Sequence, residues 1–278
     1  MYDFIVHRLL RIPYRLYSER HAAPQKARAV LVFVHGIASS TKMWQKTIDE
    51  LRNSPQFDKV DIVAVDLLGH GKSPKPSWVT YNTKLQARAL HRTLRSLSIG
   101  KRVGIVGHSL GALTAVEYAS HYQDGADVYV LCSPPFYRSD SRKIPTADDV
   151  LQRIYREFAK HPKHTERLLK NGQWYSQLNK GYTIDESNAQ IFVRTLKSSI
   201  INQTAYDDAL KIRTPTMILS GVLDPIVIDS NIKSLAKKNP HIQRWRIPLS
   251  GHEITPRYRR ELIKTLDSVI EIIVKDTL

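Results

Sequence analysis

The sequence has little sulfur and no long apolar run. Its one cysteine, Cys132, cannot form an internal disulfide, and it lies in the apolar run DVYVLC, where a buried and unreactive thiol is expected. Thiol redox chemistry and a zinc site are therefore disfavoured. No apolar run approaches the ~20 residues that a membrane-spanning helix needs. The N-terminal segment lacks the basic, apolar and small-residue order of a secretory signal, so we expect a cytoplasmic location.

Acidic residues are also scarce relative to basic ones. The 42 Lys and Arg residues, against 26 Asp and Glu residues, give a formal net charge of +16. The basic residues form no long block and no recognisable nucleic-acid motif, so no specific nucleic-acid partner is expected. The N-terminal stretch FIVHRLLRIPYRL combines apolar residues with three arginines. A weak association with an anionic membrane surface is therefore an open alternative to an ordinary basic surface.

Apolar runs of strand length alternate with segments of helical spacing through most of the chain. The runs lie at 29–35, 60–66, 102–107, 127–132, 214–221 and 242–248, and helical spacing recurs at 41–52, 82–98, 110–121, 230–238 and 256–274. Strands that are apolar on both faces belong in a parallel sheet covered by helices on both sides. The sequence therefore predicts a doubly wound, mostly parallel α/β sheet, with YRLYSER as an antiparallel edge strand.

The alternation stops at Pro134 and resumes near residue 213. The intervening stretch opens with SPPFYRSDSRKIPT and then shows helical spacing at 146–160, 162–171 and 187–201. We predict that residues 134–212 form a helical cap inserted after the sixth strand. Residues 1–133 and 213–278 would then form the core, because the chain length favours one core with an inserted subdomain over two full domains.

One serine stands at a corner between a strand and a helix. In VGIVGHSLGALTAVEYA, the strand RVGIVG runs into Ser109, and a helical pattern begins at Leu110. The five residues Gly107-His108-Ser109-Leu110-Gly111 form a G-x-S-x-G motif in the strand–turn–helix context that a nucleophile elbow requires. The glycines relieve the crowding of a strained turn. This pattern predicts a serine nucleophile, with a glycine-lined phosphate-type loop or plain packing as the alternatives.

A serine nucleophile needs a base and a residue that orients the base. His252 lies in the small-residue loop PLSGHEITP after the last predicted strand, which favours a base over a solvent-exposed histidine. Asp224 follows the strand at 214–221 directly, whereas its rival Asp229 stands where an N-cap of the next helix is expected. The chain order Ser109, Asp224, His252 is that of one of the convergent triad folds.

Acyl transfer also needs hydrogen-bond donors for the developing oxyanion. One predicted donor is the backbone N–H of Leu110, the residue after the nucleophile. The other is the amide of Ile37, in the loop HGIASS, where the flexible Gly36 frees it. No metal ion and no organic cofactor is expected for this chemistry.

Aromatic residues near these segments could line an apolar acyl pocket. The candidates are Trp44, Phe136, Tyr137 and Trp174. Pockets for small molecules are rich in such side chains, but ordinary core or cap packing explains each of them equally well.

Five motifs in order carry a family resemblance. VFVHGIASSTKMW, VDLLGHGKSPKP, GHSLGALTA, SGVLDPIV and SGHE together resemble the α/β-hydrolase superfamily, in particular its capped branch of esterases, lipases and carbon–carbon bond hydrolases. The resemblance runs from about residue 28 to the C-terminus and implies the α/β-hydrolase fold and its Ser-His-Asp machinery. Ser109 disfavours haloalkane dehalogenases and epoxide hydrolases, which have an aspartate at the elbow.

We therefore expect a serine hydrolase that cleaves small carboxylic esters through an acyl-enzyme intermediate. Hydrolysis of a carbon–carbon bond, a lactone, a thioester or an amide by the same residues stays open. A function of another class also stays open, namely a non-catalytic protein that binds a ligand in the same pocket.

Overall fold

The computed structural model describes residues 4–55, 57–97, 102–138 and 186–275. The helices predicted at 146–160 and 162–171 lie outside these residues, as does Trp174. The division into a core and a cap at 134–212 therefore stays a prediction.

Seven strands form one sheet, and the predicted apolar runs supply six of them. The strands are β1 Ser18–His21, β2 Ala29–Val34, β3 Val60–Val65, β4 Arg102–His108, β5 Val128–Cys132, β6 Thr216–Gly221 and β7 Ile242–Ile247. Their order is β1-β3-β2-β4-β5-β6-β7. Strand β1 pairs antiparallel with β3, and the other pairs are parallel. The mostly parallel sheet and its antiparallel edge strand are thereby confirmed.

Helices cover both faces of this sheet. The α-helices among the described residues are α1 Gln45–Leu51, α2 Thr83–Ser96, α3 Leu110–His121, α4 Glu186–Thr195, α5 Ala205–Ala209, α6 Asp229–Lys238 and α7 Pro256–Lys275. One apolar cluster joins the sheet to α2 and α3, and a second joins it to α1 and α7. Every residue of β2 and β3 is buried, as expected for strands enclosed between two layers of helices.

The structure corrects two predictions from the sequence. Five described strands precede Pro134, so the predicted insertion would follow the fifth strand and not the sixth. Asp229 is the first residue of α6 and not its N-cap, which is Ile228. The Asp229 carboxylate instead pairs with Arg244 at 3.0 Å and Arg246 at 3.3 Å, both on β7. A carboxylate at the start of a helix can either cap the helix or form ion pairs. In this structure Asp229 forms ion pairs with the two arginines of β7.

Short non-α turns complete the described elements. The segment Phe4–Leu9 forms a single π-helical turn, which the sequence analysis did not predict. Residues Leu196–Ile201 form a second π-helical turn, so the helix predicted at 187–201 changes its winding after α4. Within the described residues, no helix has both the length and the apolar character needed to cross a bilayer.

Helix α7 offers a matched test of the core. Ile270 is fully buried against the sheet, whereas Ile272 on the same helix is 44% exposed. We expect Ile270→Ala to lower the free energy of unfolding by ~2–5 kcal/mol, because the substitution leaves a cavity. Ile272→Ala should change it by no more than about 0.5 kcal/mol. Urea unfolding of both variants checks this, and equal effects would contradict the assigned packing.

Candidate active site

Ser109 occupies a strained corner between β4 and α3. Its backbone has φ 51° and ψ −113°, outside the conformations that a serine ordinarily adopts. Its N–H donates to the carbonyl of Cys132 at 2.9 Å, and its own carbonyl accepts from Ala112 at 3.0 Å. Strain of this kind persists only where the surrounding structure fixes it, and it concentrates at functional sites. The corner has the geometry that the sequence motif predicts.

The two glycines of the motif are required by close approach of the backbone. A Cβ on Gly111 would lie 2.2 Å from the carbonyl oxygen of Val34, and a Cβ on Gly107 would lie 2.4 Å from the carbonyl oxygen of Gly111. No side chain fits at either position. The helix can therefore start directly above the sheet, with Ser109 at its N-terminal end.

His252 and Asp224 contact each other at the carboxyl ends of the neighbouring strands β6 and β7. His252 Nδ1 donates to Asp224 Oδ2 at 2.9 Å, and their side chains are 7% and 0% exposed. The other carboxylate oxygen accepts from the amides of Ile226 and Val227. Burial alone would raise the pKa of Asp224, but the hydrogen bonds from His252 and the two amides hold it below its usual value. The proton on Nδ1 leaves the lone pair on Nε2.

His108 links the His252 loop to the serine corner. Its Nε2–H donates to the backbone carbonyl of His252 at 2.9 Å. Burial is the main cause that lowers the pKa of His108 to about 3, with the nearby His252 ring as the second cause, so His108 is neutral near pH 7. Its buried Nδ1 has no hydrogen-bond partner among the described residues and lies 2.9 Å from where a Cβ on Gly36 would stand. The neutral His108 ring therefore contacts both the loop that carries His252 and the loop after β2.

The loop after β2 is held in place by the turn after β3. His35 Nε2 accepts from the amide of Leu67 at 2.9 Å, and Asp66 Oδ1 accepts from the amide of Thr41 at 2.7 Å. Asp66 Oδ2 also accepts from the amide of Lys72 at 2.7 Å, within the GHGKS turn. These hydrogen bonds show that the turn supports the loop after β2.

The two predicted oxyanion donors flank Ser109. Leu110 is the first residue of α3, and the N–H groups of a first helical turn have no acceptor within the helix. Ile37 follows Gly36, on which an added Cβ would lie 3.3 Å from the Cβ of Ser109. The structure brings both segments together at the serine, and the role of the two amides stays a prediction.

The aromatic pocket candidates lie mostly in the core. Trp44 is fully buried, with its ring edge-on to Phe33 and to His108. Phe136 is also fully buried, and Tyr137 donates its hydroxyl to the carbonyl of Ile226 at 3.1 Å, near Asp224. For Trp44 and Phe136 these positions favour packing over contact with a substrate.

Sequence reasoning missed two residues beside this site. Tyr258 on α7 is fully buried; its hydroxyl donates to the carbonyl of Leu219 at 2.7 Å and accepts from Ser133 at 3.4 Å, which ties the ends of β6 and β5 together. Glu253 follows His252, and burial, with a smaller contribution from Asp224, raises its pKa to about 7 although His252 opposes the shift. The sequence gives no local signal for these two features. The hydrogen bonds of Tyr258 join residues distant in sequence, and the raised pKa of Glu253 results from burial.

Comparisons with known proteins agree on a fold. The family described as the alpha/beta hydrolase fold matches residues 29–169. A probable lysophospholipase of Arabidopsis thaliana, BODYGUARD 2, is 32% identical over 136 residues, which are 49% of this chain and 28% of that protein. The matched part is thus well under a third of this relative's length.

Solved structures with the same fold cover nearly all of the chain. An esterase from Exiguobacterium antarcticum is 19% identical, with a TM-score of 0.70 over 92% of this chain and 95% of that one. A thermophilic esterase from Thermogutta terrifontis is 20% identical, with a TM-score of 0.69 over 93% of each chain. At such identities the likeness shows the fold alone.

The raised pKa of Glu253 predicts a pH-dependent stability. Its folded value of about 7 exceeds the ordinary value of 4.5, so the folded protein holds this proton more tightly than the unfolded chain does. The free energy of unfolding should therefore fall by up to about 3 kcal/mol from this group as pH rises from about 4.5 to 7. Glu253→Gln should remove this loss.

Chemical unfolding at a series of pH values measures the effect. Glu261→Gln is the matched control, because the Glu261 side chain is 46% exposed on α7. The control should keep the wild-type pH profile. Parallel profiles for wild-type protein and Glu253→Gln would show that Glu253 titrates normally.

Proposed function

The chain belongs to the α/β-hydrolase fold family, and on that premise we propose that it is a serine hydrolase that cleaves carboxylic esters. The observation that carries the proposal is the hydrogen bond from His252 Nδ1 to the buried Asp224 carboxylate, at the same edge of the sheet as the strained Ser109. Such a pair orients a neutral imidazole as a base. A pure binding role requires neither that pair nor the strain.

The proposed reaction has two halves. Ser109 Oγ attacks the carbonyl carbon of the ester while His252 Nε2 takes the hydroxyl proton, and Asp224 stabilises the imidazolium that forms. The amides of Ile37 and Leu110 hold the oxyanion. His252 then gives the proton to the leaving alcohol, which leaves an acyl-enzyme. Water attacks the acyl group in the second half by the same proton transfers and frees Ser109.

The name of one sequence relative supports an ester bond as the first to test. The Arabidopsis relative is named a probable lysophospholipase. On this chain, the reaction described above would cleave an acyl ester. Lactone, thioester, amide and carbon–carbon bond substrates would use the same residues, so a substrate panel should test each of them separately.

A fluorophosphonate probe tests the nucleophile. We expect the probe to modify Ser109 in the wild-type protein, as peptide mass spectrometry would locate it. Ser109→Ala should lose the label and reduce the hydrolysis of p-nitrophenyl esters by at least about 10³-fold. Ser268→Ala is the matched control, since Ser268 is exposed on α7 and bonds only to the carbonyl of Lys264 among its hydrogen-bond partners in the described residues.

Esters of increasing acyl length, assayed in parallel, measure the pocket. Folded wild-type protein that takes up no label, or a label on another residue, would overturn the serine mechanism. Labelling of Ser109 without ester turnover would retain the nucleophile and direct the search to the other bonds. A Ser109→Ala variant with full ester turnover would favour a different site.

The bond from His108 to the His252 carbonyl predicts a positioning role. His108→Leu removes the donor and leaves that carbonyl without its partner, so the His252 loop should shift. We expect kcat to fall about 10- to 100-fold with little change in KM, since a displacement near 1 Å costs ~10²-fold in rate. His108→Gln, whose amide can reach the same carbonyl, should recover much of kcat. Equal kcat values for His108→Leu and the wild-type protein would exclude the role.

A further inference from the structure

The N-terminal segment is folded but presents apolar side chains to solvent. Its π-helical turn is closed by hydrogen bonds from Leu10 to Ile5 at 2.9 Å and from Ile12 to Val6 at 3.1 Å. Ile5, Leu9 and Leu10 are nevertheless 43%, 62% and 61% exposed. These three side chains are not among the buried residues of the core.

This segment is fixed to the core just beyond the turn. The ring of His7 stacks on that of Tyr14 at 3.7 Å, and Tyr14 is buried. The amide of Leu16 donates to the hydroxyl of Thr93 on α2 at 2.8 Å. The exposed apolar residues are therefore carried by an ordered part of the molecule.

A basic groove is lined by Arg8 and Arg11, which flank the exposed Leu9 and Leu10 in the sequence. It has a volume of about 290 Å³ and lies between the N-terminal segment, with Arg8 and Arg11, and the start of α2, with Arg88. Trp78 lines it as well and is 42% exposed. None of the described residues that line the groove is acidic. The basic apolar surface is defined here as Ile5, Leu9, Leu10, Arg11, Trp78 and Arg88.

We propose that the basic apolar surface binds an anionic lipid bilayer. Guanidinium groups are attracted to anionic headgroups, leucine side chains insert at the boundary with the acyl chains, and tryptophan prefers the same interfacial depth. The occupant is a bilayer because the exposed apolar side chains project from an ordered segment beside cationic groups, with no acidic lining to repel a headgroup among the described residues. The protein would lie on the membrane without crossing it.

The surface lies next to the described residues of the predicted cap. Arg194 donates to the carbonyl of Ser77, and Ser198 donates to the carbonyl of Thr80 at 2.6 Å. Trp78 lies between those two carbonyls in the sequence. The bilayer contact would thus adjoin the described residues of the predicted cap. Binding itself does not depend on the proposed hydrolase function.

Vesicle sedimentation tests the proposal. The 278-residue protein is mixed with phosphatidylcholine vesicles or with vesicles that contain about 30 mol% phosphatidylglycerol, at low and raised salt. We expect binding to the anionic vesicles only. The paired change Arg11→Glu with Arg88→Glu should weaken it by at least about 20-fold at low salt, at about fivefold per basic residue. Leu9→Ser with Leu10→Ser should weaken it at both salt concentrations.

Matched variants control for the overall positive charge. Lys233→Glu with Lys237→Glu changes the net charge equally on exposed positions of α6, and Ile272→Ser removes an exposed apolar side chain from α7. Both controls should retain most of the binding. Control variants that lose as much binding as the test variants, or wild-type protein that ignores anionic vesicles, would overturn the proposal. Melting temperatures of all variants show that they are folded.

Tryptophan fluorescence locates the contact independently. Brominated lipids should quench the emission of the wild-type protein, and Trp78→Phe should remove most of that quenching. Trp245→Phe is the control, because Trp245 is 45% exposed on β7. Quenching that depends on Trp245 would place the membrane on another face and overturn the proposal. A Ser109→Ala variant should bind vesicles as the wild-type protein does, so a failure of the catalytic proposal leaves this result unaffected.

Discussion

Helix α3 approaches strand β2 so closely at Gly111 that an added Cβ would lie 2.2 Å from the carbonyl oxygen of Val34. Strand β4 must therefore turn into the helix at one residue, and Ser109 takes φ 51° at that turn. Such a conformation costs of order 1–3 kcal/mol. Buried strands on both sides of β4 hold it, and the loops that carry Gly36 and His252 meet at the same corner. The proposed chemistry depends on this one close contact.

Most of the sheet could be predicted, because strands buried on both faces must be apolar along their whole length. Strands β2 and β3 show this directly, and α7 shows the helical counterpart in its buried isoleucines and leucines. Asp229 shows the limit of such reasoning. Its position in the sequence suits a helix N-cap, but its carboxylate forms ion pairs with two arginines on β7. A partner on another strand leaves no signal in the local sequence.

Much of the candidate site was also predictable, since Ser109, Asp224 and His252 each follow a strand at its carboxyl end. The structure brings Asp224 and His252 into contact and adds what the motifs do not contain. His108 fills an unspecified position of the G-x-S-x-G motif, yet its ring bonds to the backbone carbonyl of His252. Burial lowers the pKa of His35 to about 4 and that of His108 to about 3, so neither ring is charged near neutral pH. Neither His35 nor His108 therefore adds a positive charge that would compete with His252 for the ionised Asp224 carboxylate.

The hydrogen bond between His108 and the His252 carbonyl joins residues 144 positions apart, whereas the bond from His252 to Asp224 spans 28. Contacts between such distant segments form late, because a long loop must close first. A ribosome that adds ~5–20 residues per second needs roughly 7–30 s to make that stretch. During this time the chain already contains Ser109 but does not yet contain His252. Under the proposed mechanism, the nascent chain therefore has no base for Ser109 until β7 and the loop that carries His252 have joined the sheet.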